Sequence, residues 1–310
     1  MPETTPTLKT QAETIRPAAT LLLLRDRGSQ VEVLMMRRQR QLSFMGGMWV
    51  FPGGRMEDAD CSTAAAARIA IDAGHTGQPM RSIDGRELPP HLALGLRFAA
   101  CRETYEEVGL LLARHRNERP LSPSDVHDLQ AERTRVADVP GAFIELLASA
   151  DLVLELDRLV YWSHWITPSL EPKRFDTRFF AIAVPAGQDP SADEQESTEL
   201  AWLSPRTVGD AADRGEMNVV APTLLTLEDL EESHARHGGV AAMLAAEQGR
   251  PTPAVMPRLA VEAGATRVVM PWDAAYAAME GEGCAAPEGF PPHLTRRRSS
   301  MSLRRNLSVR

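Results

Sequence analysis

Cysteine is nearly missing from this chain: Cys61, Cys101 and Cys284 are the three in 310 residues. They are scattered, odd in number and without zinc-ligand spacing, which argues against a disulfide framework or a Cys-rich metal site. A reduced, cytoplasmic setting is expected. Long apolar runs are missing too. The longest, Ala18 to Leu24, is far too short to span a bilayer, so no membrane association is expected. The first sixteen residues are polar, include Glu3 and Glu13, and hold no apolar core of a signal peptide. Neither a G-x-S-x-G elbow nor a phosphate-binding P-loop occurs, and no internal repeat is apparent. Excess positive charge is absent from the body. Six of the 34 basic residues are arginines in 291–310, which leaves 28 in residues 1–290 against all 42 acids. A body that acidic argues against a nucleic-acid partner and is compatible with a site that concentrates divalent cations.

The rest of the composition, 43% hydrophobic and 25% charged, is ordinary for a soluble globular protein, and the length allows one or two domains. The most informative stretch is Arg102-Glu103-Thr104-Tyr105-Glu106-Glu107-Val108-Gly109-Leu110. On a helix, Glu103, Glu106 and Glu107 share one face. Leu94, Phe98, Cys101, Tyr105 and Val108 form an apolar stripe on the opposite side, and Gly109 stands where a C′ glycine ends a helix. Three carboxylates without a basic partner at matching offsets repel one another unless hard cations neutralise them, for which Mg²⁺ or Mn²⁺ is best suited. A merely solvated acidic face is the alternative reading of the glutamates alone.

Upstream, Trp49-Val50-Phe51-Pro52-Gly53-Gly54 reads as a strand breaking into a Pro-Gly-Gly turn, where backbone can approach a ligand or metal. With Arg102 to Leu110 it resembles the signature of the Nudix hydrolases, G-x(5)-E-x(7)-R-E-U-x-E-E-x-G-U. Gly54 is the first glycine, and Arg102, Glu103, Glu106, Glu107, Gly109 and Leu110 fit the second half. Three departures stand out. Asp60 takes the place of the first glutamate, Thr104 replaces an aliphatic residue, and 41 residues separate Asp60 from Arg102 where the pattern has 7. An aspartate there, an insertion inside the box, and the segment Phe44 to Gly54 are similar to the branch that includes coenzyme A diphosphatases.

The resemblance implies an α/β (α+β) fold, an α/β/α sandwich around a mixed central sheet, with a helical insertion in the Nudix box and a C-terminal extension. The expected organisation is a disordered tail over 1–15, a Nudix domain over 16–235 with the insertion at 61–91, an extension over 236–290 packed on the same core, and a basic disordered tail over 291–310. Strands are expected at Ala18 to Leu24, Val31 to Met36, Met48 to Phe51, Leu159 to Ile166, Arg178 to Val184 and Ala201 to Leu203. Helices are expected after Ser62, from Leu92 to Val108, within 120–150 and around Pro222 to Leu230.

The implied activity is divalent-metal-dependent hydrolysis of a diphosphate by water attack on phosphorus. Coenzyme A or acyl-CoA is the favoured substrate. ADP-ribose, a dinucleotide or a nucleotide sugar is the alternative, and a non-catalytic Nudix-fold binding protein is the alternative of another class. By resemblance, Glu103, Glu106 and Glu107 bind metal with a backbone carbonyl near Gly53, Asp60 either approaches the metals or pairs with Arg102, and Gly54 borders the substrate. The candidate general base is Glu103 or an acid of the stretch Asp193 to Glu199, where Glu196 lies six residues before Trp202. Arg37, Arg38 and Arg174, together with Arg40 and Arg178, are candidates for pairing with phosphates, since arginine forks match phosphate oxygens. His234 and His237 have helical spacing but no third ligand, and are read as surface residues. Cys101 is read as core. The partner expected is a small nucleoside-diphosphate-linked molecule, and a homodimer is left open.

Overall fold

A computed structural model describes residues 15–42, 45–70, 79–169, 171–193, 197–262, 265–279, 281–283 and 300–302. The expected N-terminal tail up to Thr14, Cys284, Glu196 and, apart from 300–302, the expected basic tail lie outside the described residues. Strand β1 (Arg16–Arg27) and β2 (Gln30–Arg38) form an antiparallel hairpin, followed by β3 (Trp49–Val50) and β4 (Gly53–Arg55). A 3-10 turn, Asp58–Cys61, leads to a single helical turn α1 (Thr63–Ala66), N-capped by Ser62, whose Oγ accepts from Ala65 N–H at 3.1 Å. The long helix α2 (Pro90–Val108) follows.

Next come β5 (Ala113–His115), three short helices α3 (Pro123–Gln130), α4 (Arg133–Asp138) and α5 (Ala142–Ser149), and β6 (Leu152–Leu154), which pairs with β5. The chain then adds β7 (Val160–Ile166), β8 (Phe175–Ala183), β9 (Ser197–Leu203), α6 (Pro205–Asp213), α7 (Ala221–His237) and α8 (Val240–Ala246). Last are β10 (Ala254–Val255), β11 (Arg258–Glu262), β12 (Ala265–Val269) and β13 (Ser300–Ser302). Among the described residues no helix is long and apolar enough to cross a membrane.

The main sheet runs β10-β7-β8-β1-β2-β3, with β4 on β1 and β9 on β2. It is mixed: β1 is parallel to β8 and β10 to β7, while the remaining pairs are antiparallel. Strand β1 is buried on both faces, and its period of two divides it cleanly. Leu21 and Leu23 join the apolar layer under α2, with Phe98, Cys101, Tyr105 and Val108. Leu22 and Leu24 join the layer on the other face, with Leu225, Leu227 and Leu230 of α7 and Val240 and Met243 of α8. The result is the three-layer α/β/α sandwich expected above.

Three expectations need correction. His234 is not a surface residue: it is buried, with Nε2 2.8 Å from Asp26 Oδ1, and the same carboxylate accepts from Val240 N–H at the start of α8. Part of the expected disordered basic tail is a strand, since Ser300–Ser302 pairs with Arg267, Val268 and Val269 and supplies backbone partners to that edge. Gly53 and Gly54 belong to a short strand and not to an open turn, pairing with Thr20 and Ala19 of β1.

Candidate active site

The site is built where α2 crosses β4. Both β4 glycines sit against close neighbours: a Cβ on Gly53 would collide with the β1 backbone at Ala19 O, and one on Gly54 with the side-chain carboxylate of Glu103. Leu21 N–H donates to Pro52 O at 2.9 Å and Met56 N–H to Pro17 O at 3.0 Å, which fixes both ends of this segment to β1. The helix ends as expected. Gly109 adopts φ 70°, and its N–H donates to Tyr105 O at 2.9 Å.

Arg102 organises the face. Its Nε and Nη2 donate to Asp60 Oδ1 and Oδ2 at 2.9 and 3.0 Å, and Nη2 also donates to Arg55 O at 2.8 Å. Nη1 donates to Glu103 Oε1 at 3.0 Å and to Glu106 Oε2 at 2.9 Å. Both Asp60 oxygens are therefore taken by Arg102, and Oδ2 accepts from Glu57 N–H as well, at 2.8 Å. In this structure Asp60 is the partner of Arg102 and is not gathered with the trio's oxygens. The glutamates also do have a basic partner, Arg102 at i−4 from Glu106. Burial works against the charge on Arg102, but Asp60, Glu103 and Glu106 outweigh it and hold the guanidinium above its ordinary pKa.

Glu107 turns the other way. Its Oε2 accepts from Gly53 N–H at 2.6 Å, and its Oε1 lies 3.7 Å from Arg38 Nη1. Gly53 thus meets the trio through its N–H, while its carbonyl oxygen is not seen in that role. Among the described residues no three His, Cys, Asp or Glu side chains are gathered so as to hold an ion. Here Arg102 stands between Glu103 and Glu106, and the Gly53 N–H draws Glu107 aside.

The donor chemistry nonetheless fits a hard cation: three carboxylates on one helix face beside bare backbone. Glu106 is pushed up to about 8, by burial first and by the neighbouring Glu103 and Glu57, against the pull of Arg102. A carboxyl so poorly solvated next to other acids gains from a positive charge in its surroundings.

Of the other candidates, Arg38 reaches the site, Arg37, Arg174 and Arg178 are engaged elsewhere, and Arg40 faces solvent. Arg37 lies 3.8 Å from Glu199, and Arg40 is exposed in the turn after β2. Arg174 is buried and donates to Glu282 Oε2 at 2.7 Å and to Thr167 O at 3.2 Å. Arg178 is buried against Asp176 at 2.7 Å and donates to Arg81 O of the insertion at 2.9 Å. These two arginines tie the fold together, and the structure does not show them free to meet a phosphate. Cys101 is buried and its thiol pushed up by burial, while Cys61, packed beside α2, is raised to about 11 by burial and by Asp60 and Asp58. Neither thiol is set up as a nucleophile.

The sequence reading missed the cap at the far end of α2. Gln130 Nε2 donates to Gly109 O at 2.5 Å, Tyr105 Oη donates to Leu129 O, and Arg133 Nε donates to Glu106 O at 2.8 Å. Ser191 N–H and Asp193 N–H take the carbonyls of Val108 and Glu107, at 3.0 and 3.2 Å. No local motif signals these contacts, because each joins segments far apart in the chain.

Comparison with known proteins places these features in context. The family described as the NUDT19 Nudix domain matches residues 10–230. Acyl-coenzyme A diphosphatase NUDT19 of Gallus gallus is 31% identical over 206 residues, covering 56% of this chain and 54% of that protein. The Homo sapiens protein of the same description is 30% identical over 202 residues, covering 56% and 53%. The chain therefore spans about half the length of the curated relatives it matches. A crystal structure of a NUDIX hydrolase from Alicyclobacillus acidocaldarius superposes with a TM-score of 0.60 at 27% identity, covering 77% of this chain and 99% of that one.

Proposed function

The chain belongs to the NUDT19 Nudix domain family, and from that premise we propose that it hydrolyses the diphosphate of coenzyme A and its acyl esters. The products are 3′,5′-ADP and a 4′-phosphopantetheine or its acyl form. The supporting observation is the Asp60–Arg102 clamp, which carries the glutamate face of α2 onto the bare backbone of Gly53 and Gly54. A deeply split signature is thereby brought to one place.

Glu103, Glu106 and Glu107 are the residues to hold Mg²⁺ or Mn²⁺ in this reading. Such ions screen a densely anionic diphosphate, lower the pKa of water and stabilise the leaving phosphate. Arg102, fixed by Asp60, holds the carboxylates apart and in register. Arg38, beside Glu107, is aimed where a phosphate oxygen has reason to sit, since a guanidinium pairs with it in a fork. The proton of the attacking water goes to a carboxylate, Glu103 or Glu196. The name carried by the two vertebrate relatives favours acyl-CoA as substrate, and a cytoplasmic setting belongs to the same reading.

The test is direct. The purified chain is incubated with acyl-CoA and Mg²⁺ or Mn²⁺, and products are separated by chromatography. The expected outcome is metal-dependent release of 3′,5′-ADP, reduced about 100-fold in Glu107→Gln, the upper end of what changes around metal ligands cost. Acyl-CoA left intact while ADP-ribose is consumed refutes the substrate, and near-normal turnover in the variant refutes the metal role.

A further inference from the structure

Arg133 opens α4 and reaches back to the last turn of α2. Its Nε donates to Glu106 O at 2.8 Å, and its Nη1 donates to Ser191 O and Ser191 Oγ, both at 2.9 Å. Ser191 and Asp193 then cap Val108 and Glu107 through their N–H groups, at 3.0 and 3.2 Å. The carbonyls of Glu106, Glu107 and Val108 have no partner within the helix. They are satisfied by one guanidinium and by the short segment that it holds. Two of these three residues carry carboxylates of the candidate site.

We propose that Arg133 is a positioning residue for the metal ligands: by fastening the end of α2 to Ser191–Asp193, it fixes where the Glu106 and Glu107 carboxylates stand. The inference rests on the metal reading given above and deepens it.

Two observations separate this role from ordinary capping. First, α2 already has an end. Gly109 closes it in the left-handed conformation, Gln130 takes the Gly109 carbonyl, and Tyr105 and Val108 anchor the turn in the core. Arg133 instead grips the turn at the residues that bear the carboxylates. Second, Arg133 is an expensive way to fill a carbonyl. Its Nη2 is buried without a hydrogen-bond partner among the described residues. Burial also lowers its pKa, although Asp193, Tyr105 and Glu107 pull the other way. A neutral donor would avoid that desolvation. What the guanidinium adds is a rigid fork that joins two segments at fixed spacing.

The experiment measures Mn²⁺ binding to the full chain without substrate, by electron paramagnetic resonance, for wild type, Arg133→Lys and Arg133→Gln. Steady-state kinetics with acyl-CoA at saturating metal run alongside. Positioning residues behind metal ligands typically change affinity by about 10–100-fold. Both variants are therefore expected to bind Mn²⁺ about tenfold more weakly and to lose kcat, with KM nearly unchanged. Charge alone predicts the opposite sign, because removing a cation beside acids tightens cation binding. Unchanged or tighter Mn²⁺ binding in Arg133→Gln, with wild type binding normally, overturns the inference and leaves the metal reading standing. If Arg133→Gln does not fold, Arg133→Lys is decisive in the same way, since it keeps the charge and loses the fork. Failure of wild type to bind Mn²⁺ overturns the metal reading itself, and the inference with it.

Discussion

An aspartate at position 60 is one methylene shorter than the glutamate of the usual pattern, yet it meets Arg102 with both oxygens because the 3-10 turn Asp58–Cys61 carries it against α2. The pair is buried, with side-chain exposures of 6% for Arg102 and 1% for Asp60. Removing one partner of such a pair leaves an uncompensated charge, typically at about 3–5 kcal/mol. Asp60→Asn is therefore expected to cost about 3 kcal/mol by urea unfolding at pH 7. The lower end applies because Glu103 and Glu106 still face the guanidinium. A loss below about 1 kcal/mol contradicts the clamp. Gly54→Ala probes the neighbouring contact. Its methyl group displaces the Glu103 carboxylate by roughly an ångström, and displacements of that size cost about 100-fold in rate. A large fall in kcat with a nearly unchanged melting temperature is the expected pattern, and full activity would mean that Glu103 has no fixed place.

Elements formed by local pattern were legible in the sequence, and elements joined by distant partners were not. The apolar stripe of α2, its glutamate face and its Gly109 stop all follow from spacing along one helix. Residues 18–24 announced β1 by composition. By contrast, Asp26 and His234 stand 208 positions apart, and nothing local marks either as the other's partner. Arg174 and Arg178 looked available for phosphate because Glu282 and the Arg81 carbonyl, 108 and 97 positions away, could not be assigned to them from the sequence. The β1–β2 hairpin shows the same limit on a shorter scale. Glu32 is buried between Arg25 and Arg27, at 2.6 and 2.8 Å, in an antiparallel register that pairs Arg25 with Glu32. Burial works to raise the Glu32 carboxyl, but hydrogen bonds and attraction from the two arginines win and hold it below its ordinary value. A depressed carboxyl stabilises the fold above its unfolded pKa, near 4.5, and that contribution disappears as the pH falls through the folded value. Glu32→Gln is thus expected to be less stable than wild type by about 1 kcal/mol at pH 7, the upper end for pairs whose arginines are this exposed. The gap should close on acidification below 4.5, and a gap that widens there has the wrong sign for this pair.

At the scale of the whole molecule, the residues after α7 are woven into the sandwich. Val240 and Met243 of α8 and Val255 of β10 are buried in the same layer as Leu22, Val160 and Trp165. Strand β10 pairs with β7 and covers what would otherwise be an open sheet edge. Arg258 gathers the chain that follows, donating to the carbonyls of Tyr276, Met279, Gly281 and Gly283 and stacking on Tyr276 at 4.1 Å. From there Glu282 returns to Arg174 at the start of β8. Each buried aliphatic side chain contributes about 1.5–3 kcal/mol relative to exposure. Deleting Val240, Met243, Val255, Met256, Val268 and Met270 together therefore removes an amount comparable with the ~5–15 kcal/mol by which a domain is stable at all. A chain ending at Gly238 keeps every glutamate of the site and all of α7, yet it bares Trp165 and the β7 backbone. Such a chain is expected to elute as aggregate in size-exclusion chromatography and to lack a cooperative thermal transition. A monodisperse fragment melting at the full-length temperature would instead make residues 239–310 a separate module, attached to the sandwich but not part of its core.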